Sequence, residues 1–182
     1  KGRFNRVWRS DEFRAYVAIV GVLTAIVTAS LYFLTDRPLE QSFRDSIFQI
    51  VSLITTTGYV SADYTTWSNG LTMLFFIMMF LGASAGSTSG GIKLVRHLVF
   101  FKNSYLEFKR IIHPRAVVPL KMNGEVVAPR VMTHIIIFLL LYMILFVFGS
   151  IVVSILGLDF MTAIGAVATS LGNVGPGIGQ VG

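Results

Sequence analysis

Long stretches without Lys, Arg, Asp or Glu divide the chain. Residues 15–35 form 21 such positions, mostly Val, Ile, Leu and Ala, enough for a helix to cross a ~30 Å hydrocarbon core. Residues 131–158 form a second strongly apolar run of 28. Between them, 46–62 is uncharged but mixed with Ser, Gln and Thr, and it ends in Gly58-Tyr59. Residues 64–92 are also uncharged, yet their apolar part, 71–83, is only 13 long. A last run, 160–182, begins apolar and dissolves into glycine. The pattern predicts two full spans, at 15–35 and 131–158, with shorter elements after each. No small-residue cleavage site follows 15–35 before Asp36-Arg37-Pro38, so that run reads as a permanent span and not a secretion signal.

Charge placement orients these elements. Of 15 Lys and Arg, five lie at or before Arg14 and eight between Lys93 and Arg130; only Arg37 and Arg44 fall between. Five of the nine acids, Asp36, Glu40, Asp45, Asp63 and Asp159, lie on the poorly basic side. The positive-inside rule therefore puts the N-terminus and the 93–130 loop in the cytoplasm. The net charge of +6 is thus explained by loops flanking membrane spans, and no nucleic-acid partner is expected. Composition agrees: 13% of residues are charged, against about a quarter in soluble domains. The absence of cysteine removes disulfides, thiolate metal sites and cysteine nucleophiles.

Topology then makes a demand. The chain leaves through 15–35 and must return before Lys93, yet two uncharged segments lie between. One of them must enter and leave by the same face, and 46–62 is the shorter and more polar. Ser42 with Asp45 three residues later predicts a capping box. From Asp45 to Thr56 a helix would run ~18 Å, to mid-membrane. Residues 57–63, extended, would climb back ~20 Å. Irregular backbone at that depth is tolerated only where it lines water or is buried in protein, so a short helix followed by Thr-Thr-Gly-Tyr predicts a pore helix and a selectivity filter. The unit recurs: Asp45 to Gly58 and Asp159 to Gly172 both span 13 positions. In that register Ile50 matches Ile164, Thr55 matches Thr169 and Thr56 matches Ser170.

The chemistry that needs such a segment is cation dehydration. Backbone carbonyls replace a potassium ion's hydration shell without fixed charge, and glycine permits the dihedrals that aim them. A half-helix whose negative C-terminal end points to mid-membrane favours a cation. The expected filter is Thr56, Thr57, Gly58 and Tyr59 with Leu171, Gly172, Asn173 and Val174. K⁺ is expected at Thr56, Thr57, Gly58, Leu171, Gly172 and Asn173. The 82–91 run, with four Gly, three Ser, two Ala and one Thr, must lie within a span. It reads either as a break and movable loop, or as a packing face, since Gly82, Gly86 and Gly90 recur every four residues. Lys93 beyond it suits a snorkelling anchor.

Other residues carry less. His97, His113 and His134 show no metal-ligand spacing. Trp8 and Trp67 suit membrane interfaces. Asp45 and Asp159 read as helix starts. Arg110, Arg115, Lys121 and Arg130 read as solvated. Gly91-Ile92-Lys93 lacks the ending of a nucleotide P-loop. No Ser/His/Asp or paired-carboxylate constellation appears, so no enzyme is expected.

Three motifs in order, Thr55-Thr56-Thr57-Gly58-Tyr59, Gly86-Ser87-Thr88-Ser89-Gly90-Gly91-Ile92-Lys93 and Leu171-Gly172-Asn173-Val174-Gly175-Pro176-Gly177, resemble the Trk/Ktr/HKT superfamily of potassium transporters, most nearly its bacterial TrkH branch. The resemblance implies an all-α polytopic membrane protein, with repeated span–re-entrant pore helix–filter–span units around a central ion pore. Residues 1–130 resemble the third of four repeats and 131–182 the start of the fourth, with one filter glycine per repeat, Gly58 and Gly172. Two such loops cannot ring an ion alone, so the chain reads as part of a longer protein. The resemblance also makes the 82–91 run a gating loop: Gly82, Gly86, Ser87, Thr88, Ser89, Gly90 and Gly91. It implies K⁺ uptake across a bacterial plasma (inner) membrane, no cofactor, and a homodimer in membrane lipid. A cytoplasmic ring of nucleotide-binding regulatory subunits of the TrkA type is implied as its partner. The rival reading is a secondary transporter for a small anionic solute, with helix N-termini facing the substrate.

Overall fold

A computed structural model describes residues 7–8, 10–35, 37–113 and 118–181. Asp36 and Arg115 therefore lie outside the described residues. The long helices are α1, Asp11–Leu34, and α5, Pro129–Ile155. With 24 and 27 residues they are ~36 and ~40 Å long. Among the described residues they are the two helices long and apolar enough to cross a membrane. α5 opens with proline, whose missing N–H costs nothing at a helix start. It is apolar all round, with Phe148 and Ile155 strongly exposed.

Each long helix packs against the short helix that follows it. The first short helix, α2, spans Leu39–Ile54. It does not start at Ser42 and Asp45 as the sequence pattern predicts. The Pro38 carbonyl accepts from the Ser42 N–H at 2.9 Å, so Ser42 already sits inside the first turns. Asp45 lies deeper still, 3.6 Å from Arg37. α2 buries a polar stripe, Ser42, Asp45, Ser46 and Gln49, while Phe43, Phe48 and Val51 face outward. That inversion of ordinary amphipathicity suits a helix whose surroundings are apolar and whose neighbours in the protein are polar.

After a 3₁₀ turn at Tyr64–Thr66 comes α3, Asn69–Met78, capped by the Ser68 hydroxyl, which accepts from the Leu71 N–H. α3 has 10 residues, ~15 Å, too short to cross. Helix resumes only at α4, Leu94–Ile112. Between them β1, Leu81–Gly82, pairs in parallel with β2, Ile92–Lys93. Parallel pairing across so short a connection means that the chain loops out, returns and resumes its heading. α3 and α4 are thus two helices on one heading, with 83–91 thrown out between them as a loop. His97 on α4 ties the two halves, its Nε2 lying 3.2 Å from the Phe80 carbonyl. On the far side of α4, β3 (Lys121–Met122) and β4 (Glu125–Val126) form a hairpin with Asn123 and Gly124 both at positive φ.

α6, Phe160–Gly172, is the second short helix, and a 3₁₀ turn at Gly179–Val181 packs on it. Asp159 caps α6 as predicted, accepting from the Thr162 N–H at 3.1 Å. One apolar core joins both units: Val27 and Leu31 of α1, Ile50 and Leu53 of α2, Phe75 of α3, and Ala168, Val174 and Ile178 around α6. Trp67 belongs to this core, 5.7 Å from the Phe75 ring, and does not mark an interface.

Candidate functional site

Both short helices end in the same backbone device. Thr56 and Asn173 adopt the left-handed conformation, at φ 54° and 50°. In the first unit the Thr56 N–H donates to Leu53 O at 3.0 Å and the Thr57 N–H to Ser52 O at 2.9 Å. In the second, Asn173 N–H donates to Ser170 O at 3.2 Å and Val174 N–H to Thr169 O at 2.9 Å. These paired bonds are Schellman caps, which consume orphan carbonyls at a helix C-terminus. Asparagine tolerates this conformation; threonine, β-branched, is strained in it by about 1–2 kcal/mol.

The caps set the register between the units and correct the predicted one. Thr56 corresponds to Asn173, Ser52 to Thr169, and Gly58, at φ 78°, to Gly175, at φ 113°. Aligning Asp45 with Asp159 shifts this by one turn, because Asp159 starts its helix and Asp45 does not. Leu171 and Gly172 accordingly lie inside α6. Gly172 is a packing residue there: a Cβ on it would meet the Met79 carbonyl at 2.7 Å. Asn173 and Val174 begin the turn, and Gly175 completes it. Sequence reasoning missed Gly175; the signal was Asn173, a residue at home at positive φ, two positions before it.

The two glycine turns touch. A Cβ on Gly175 would lie 3.6 Å from Gly58 Cα, and one on Gly58 would lie 2.1 Å from the Val174 carbonyl oxygen. Hydroxyls brace the turns from behind. Ser52 Oγ donates to Tyr59 O at 2.6 Å, and Thr169 Oγ1 accepts from the Gly175 N–H at 3.0 Å. Thr55 and Thr57 hydroxyls pair at 2.7 Å. Tyr59 points away, 72% exposed. Electrostatically, the negative ends of both half-helices converge on the turns, while their N-terminal ends lie at the opposite side. At that outer end, hydrogen bonds from Thr162 hold the Asp159 carboxyl below the usual carboxylate range.

Beneath the turns lies the 83–91 loop. Gly82, Gly86 and Gly90 are not on a helix, so the every-fourth-residue packing face is overturned. Gly90 is instead pressed against the second turn: its Cβ would meet Gly172 O at 2.3 Å and Asn173 Cβ at 2.7 Å. Gly82 packs within the loop's own base, against Gly90 O at 2.8 Å, whereas Gly86 meets nothing within 4 Å. Lys93 does not snorkel but folds back into the loop. Its ammonium donates to Ser87 O at 2.7 Å, to Ser89 Oγ at 3.2 Å, and to the Ser89 carbonyl. From α1, Glu12 Oε1 accepts from the Ala85 N–H at 2.6 Å. A cleft of about 550 Å³ separates this loop from the end of α2, lined by Phe13 and Tyr16 of α1 as well as Glu12, Thr55, Ser84 and Ser87. Thr88 and Ser89 complete the loop; the Ser89 hydroxyl accepts from the Ala83 N–H at 3.2 Å. Among the described residues no cluster of three or more His, Asp or Glu is placed to hold a metal.

Residues 13–181 match the TrkH family model, described as cation transport proteins. The chain belongs to that family. The Trk system potassium uptake protein TrkH of Salmonella typhimurium is 33% identical over 176 residues, covering 96% of this chain and 36% of its own length. Its counterpart in Vibrio parahaemolyticus is 34% identical over 176 residues, with the same coverage of 96% and 36%. The crystal structure of the potassium transporter TrkH from Vibrio parahaemolyticus superposes with TM-score 0.89 at 34% identity, over 96% of this chain and 37% of that one. The expected all-helical membrane fold is therefore the TrkH fold. The chain spans little more than a third of the length of these relatives. In this chain the two turns that carry the expected filter residues meet at Gly58, which lies against Val174 and Gly175.

Proposed function

We propose that this TrkH-family chain forms half of a K⁺ uptake pathway in a bacterial plasma membrane. The observation that carries the reading is the contact between two positive-φ glycine turns, Gly58 and Gly175, at the converging C-terminal ends of two half-helices. Carbonyl oxygens of Thr56, Thr57 and Gly58, with those of Asn173, Val174 and Gly175, would replace water around the ion. Helix C-termini favour a cation there. The anionic-solute reading loses ground, because it needs helix N-termini at the same place. The 82–91 loop, lying against Gly172 and Asn173, is proposed as the gate. Two further repeats would close the ring, and the longer protein would pair as a homodimer. The basic surface of α4 and the β3–β4 hairpin would meet a cytoplasmic nucleotide-binding regulatory subunit of the TrkA type. The potassium-uptake names of relatives over 96% of this chain support this reading.

The test is cation selectivity of the full-length protein in proteoliposomes. A Cβ at Gly58 runs into the Val174 carbonyl and strains a residue at φ 78°. Gly58→Ser and Gly175→Ser are each expected to lower rubidium over sodium uptake about tenfold or more, equivalent to about 1.4 kcal/mol. Unchanged selectivity in both removes the filter assignment.

A further inference from the structure

Tyr64 lies outside both filter segments, yet it is only 1% exposed. Its hydroxyl donates to the Gly177 carbonyl, a partner 113 residues away in the second unit. Its ring meets Phe75 edge-on, centroids 5.1 Å apart at 72°, and Phe75 is itself fully buried. The phenol therefore cannot swing aside. Gly177 is held from its other side too, its N–H donating to Val181 O at 2.8 Å. A buried tyrosine normally finds a hydrogen-bond partner. The informative point is which partner this one has.

Beyond the shared apolar core, two kinds of contact join the return segments of the units. Gly58 packs against the Val174 carbonyl, next to Gly175; Tyr64 and Gly177, further along each return segment, are joined by a hydrogen bond. Packing of this kind sets only a minimum separation. A hydrogen bond has a preferred length and direction, so the second junction fixes how far the turns open. We infer that Tyr64 is a positioning residue for cation selectivity: its hydroxyl, by holding the Gly177 carbonyl, sets the spacing between the Gly58 and Gly175 turns. The inference rests on the filter reading above. Without the phenol, the Gly177 carbonyl is a buried acceptor lacking its donor, and such groups reorient to find another. The segment that turns with it carries Gly175.

The experiment compares rubidium and sodium tracer uptake by the full-length protein in proteoliposomes for Tyr64→Phe, Trp67→Phe and Gly58→Ser. Tyr64→Phe keeps the ring and removes only the donor. It is expected to lower the rubidium-to-sodium ratio about fivefold, the factor associated with one net hydrogen bond. Trp67→Phe disturbs the same aromatic cluster without touching Gly177, and is expected to leave the ratio unchanged. If Gly58→Ser collapses the ratio and Tyr64→Phe does not, this inference is overturned while the filter reading stands. If neither changes it, the filter reading itself has failed. An equal fall in Tyr64→Phe and Trp67→Phe assigns the effect to general packing and also overturns the inference. Should Tyr64→Phe give no folded protein, 3-fluorotyrosine at position 64 keeps the shape and alters donor strength. A smaller shift in the ratio is then expected, and an unmoved ratio counts against Tyr64.

Discussion

The two half-helix ends reach one backbone geometry by different means. The first places threonine in the left-handed position and braces itself with its own hydroxyls, Ser52 behind Tyr59 and Thr55 against Thr57. The second uses asparagine and has one hydroxyl of its own behind it, Thr169 at the Gly175 N–H, and adds support from elsewhere: the loop glycine Gly90 against Gly172, and Tyr64 against Gly177. The first turn overlooks an open cleft of about 550 Å³; the second has the loop pressed directly against it. A shared cap with unshared supports means that the oxygens are fixed by backbone hydrogen bonds, while control over them is distributed unequally. Whatever moves the loop acts first on the second turn.

That asymmetry is broken most strongly at the loop. Gly90→Ala places a methyl 2.3 Å from Gly172 O, a distance no real contact sustains, whereas Gly86→Ala meets nothing. Overpacking of this kind costs about 1–3 kcal/mol. If the loop obstructs the pathway while docked on the second turn, Gly90→Ala is expected to raise rubidium uptake about tenfold in the full-length protein. Gly86→Ala is expected to match the parent. Equal behaviour of the two variants would mean that docking on α6 does not limit flux.

A smaller effect lies in the caps themselves. Thr56→Asn relieves a β-branched residue at φ 54°, and Asn173→Thr imposes the same strain at φ 50°. The two are expected to move thermal stability in opposite directions, by about 1 kcal/mol each. Heating full-length protein and measuring what remains monodisperse reads the sign. If both lower stability, the side chains are doing more than tolerating the backbone.

How much of this was legible in the sequence follows from which forces are local. Two spans could be read because length and apolarity alone decide whether a helix crosses a bilayer. A re-entrant element was expected at α2 because charge placement requires one of two uncharged segments to enter and leave by the same face, and 46–62 is the shorter and more polar. The break between α3 and α4 was only half legible. The Gly/Ser run announced weak helix preference, but its four-residue spacing pointed equally to helix packing. What decides between them is a parallel pair of two-residue strands, and so short a pairing has no period to detect. The filter register failed for a local reason, since Asp45 resembles a helix start yet Pro38 had already started the helix. The role of Tyr64 went unread for a non-local one. Nothing in its neighbourhood announces that it is buried against a segment more than a hundred residues away.

The outer ends of the half-helices offer the gentlest contrast. α6 is capped by a titrating side chain, Asp159, whereas α2 starts at Pro38 with no side-chain cap. Hydrogen bonds from Thr162 to its side-chain oxygen lower the Asp159 pKa below its ordinary value. A depressed carboxyl contributes stability that is complete above its unfolded pKa and lost as pH falls through the folded one. The second unit is therefore expected to loosen in acid sooner than the first. Asparagine caps as well as aspartate but carries no proton to exchange, so Asp159→Asn is expected to match the parent's thermal stability at pH 7. Between pH 4 and pH 3, in the usual carboxylate range, the variant should lose slightly less than the parent. An identical acid response would show that the Asp159 charge contributes nothing beyond the geometry that asparagine reproduces.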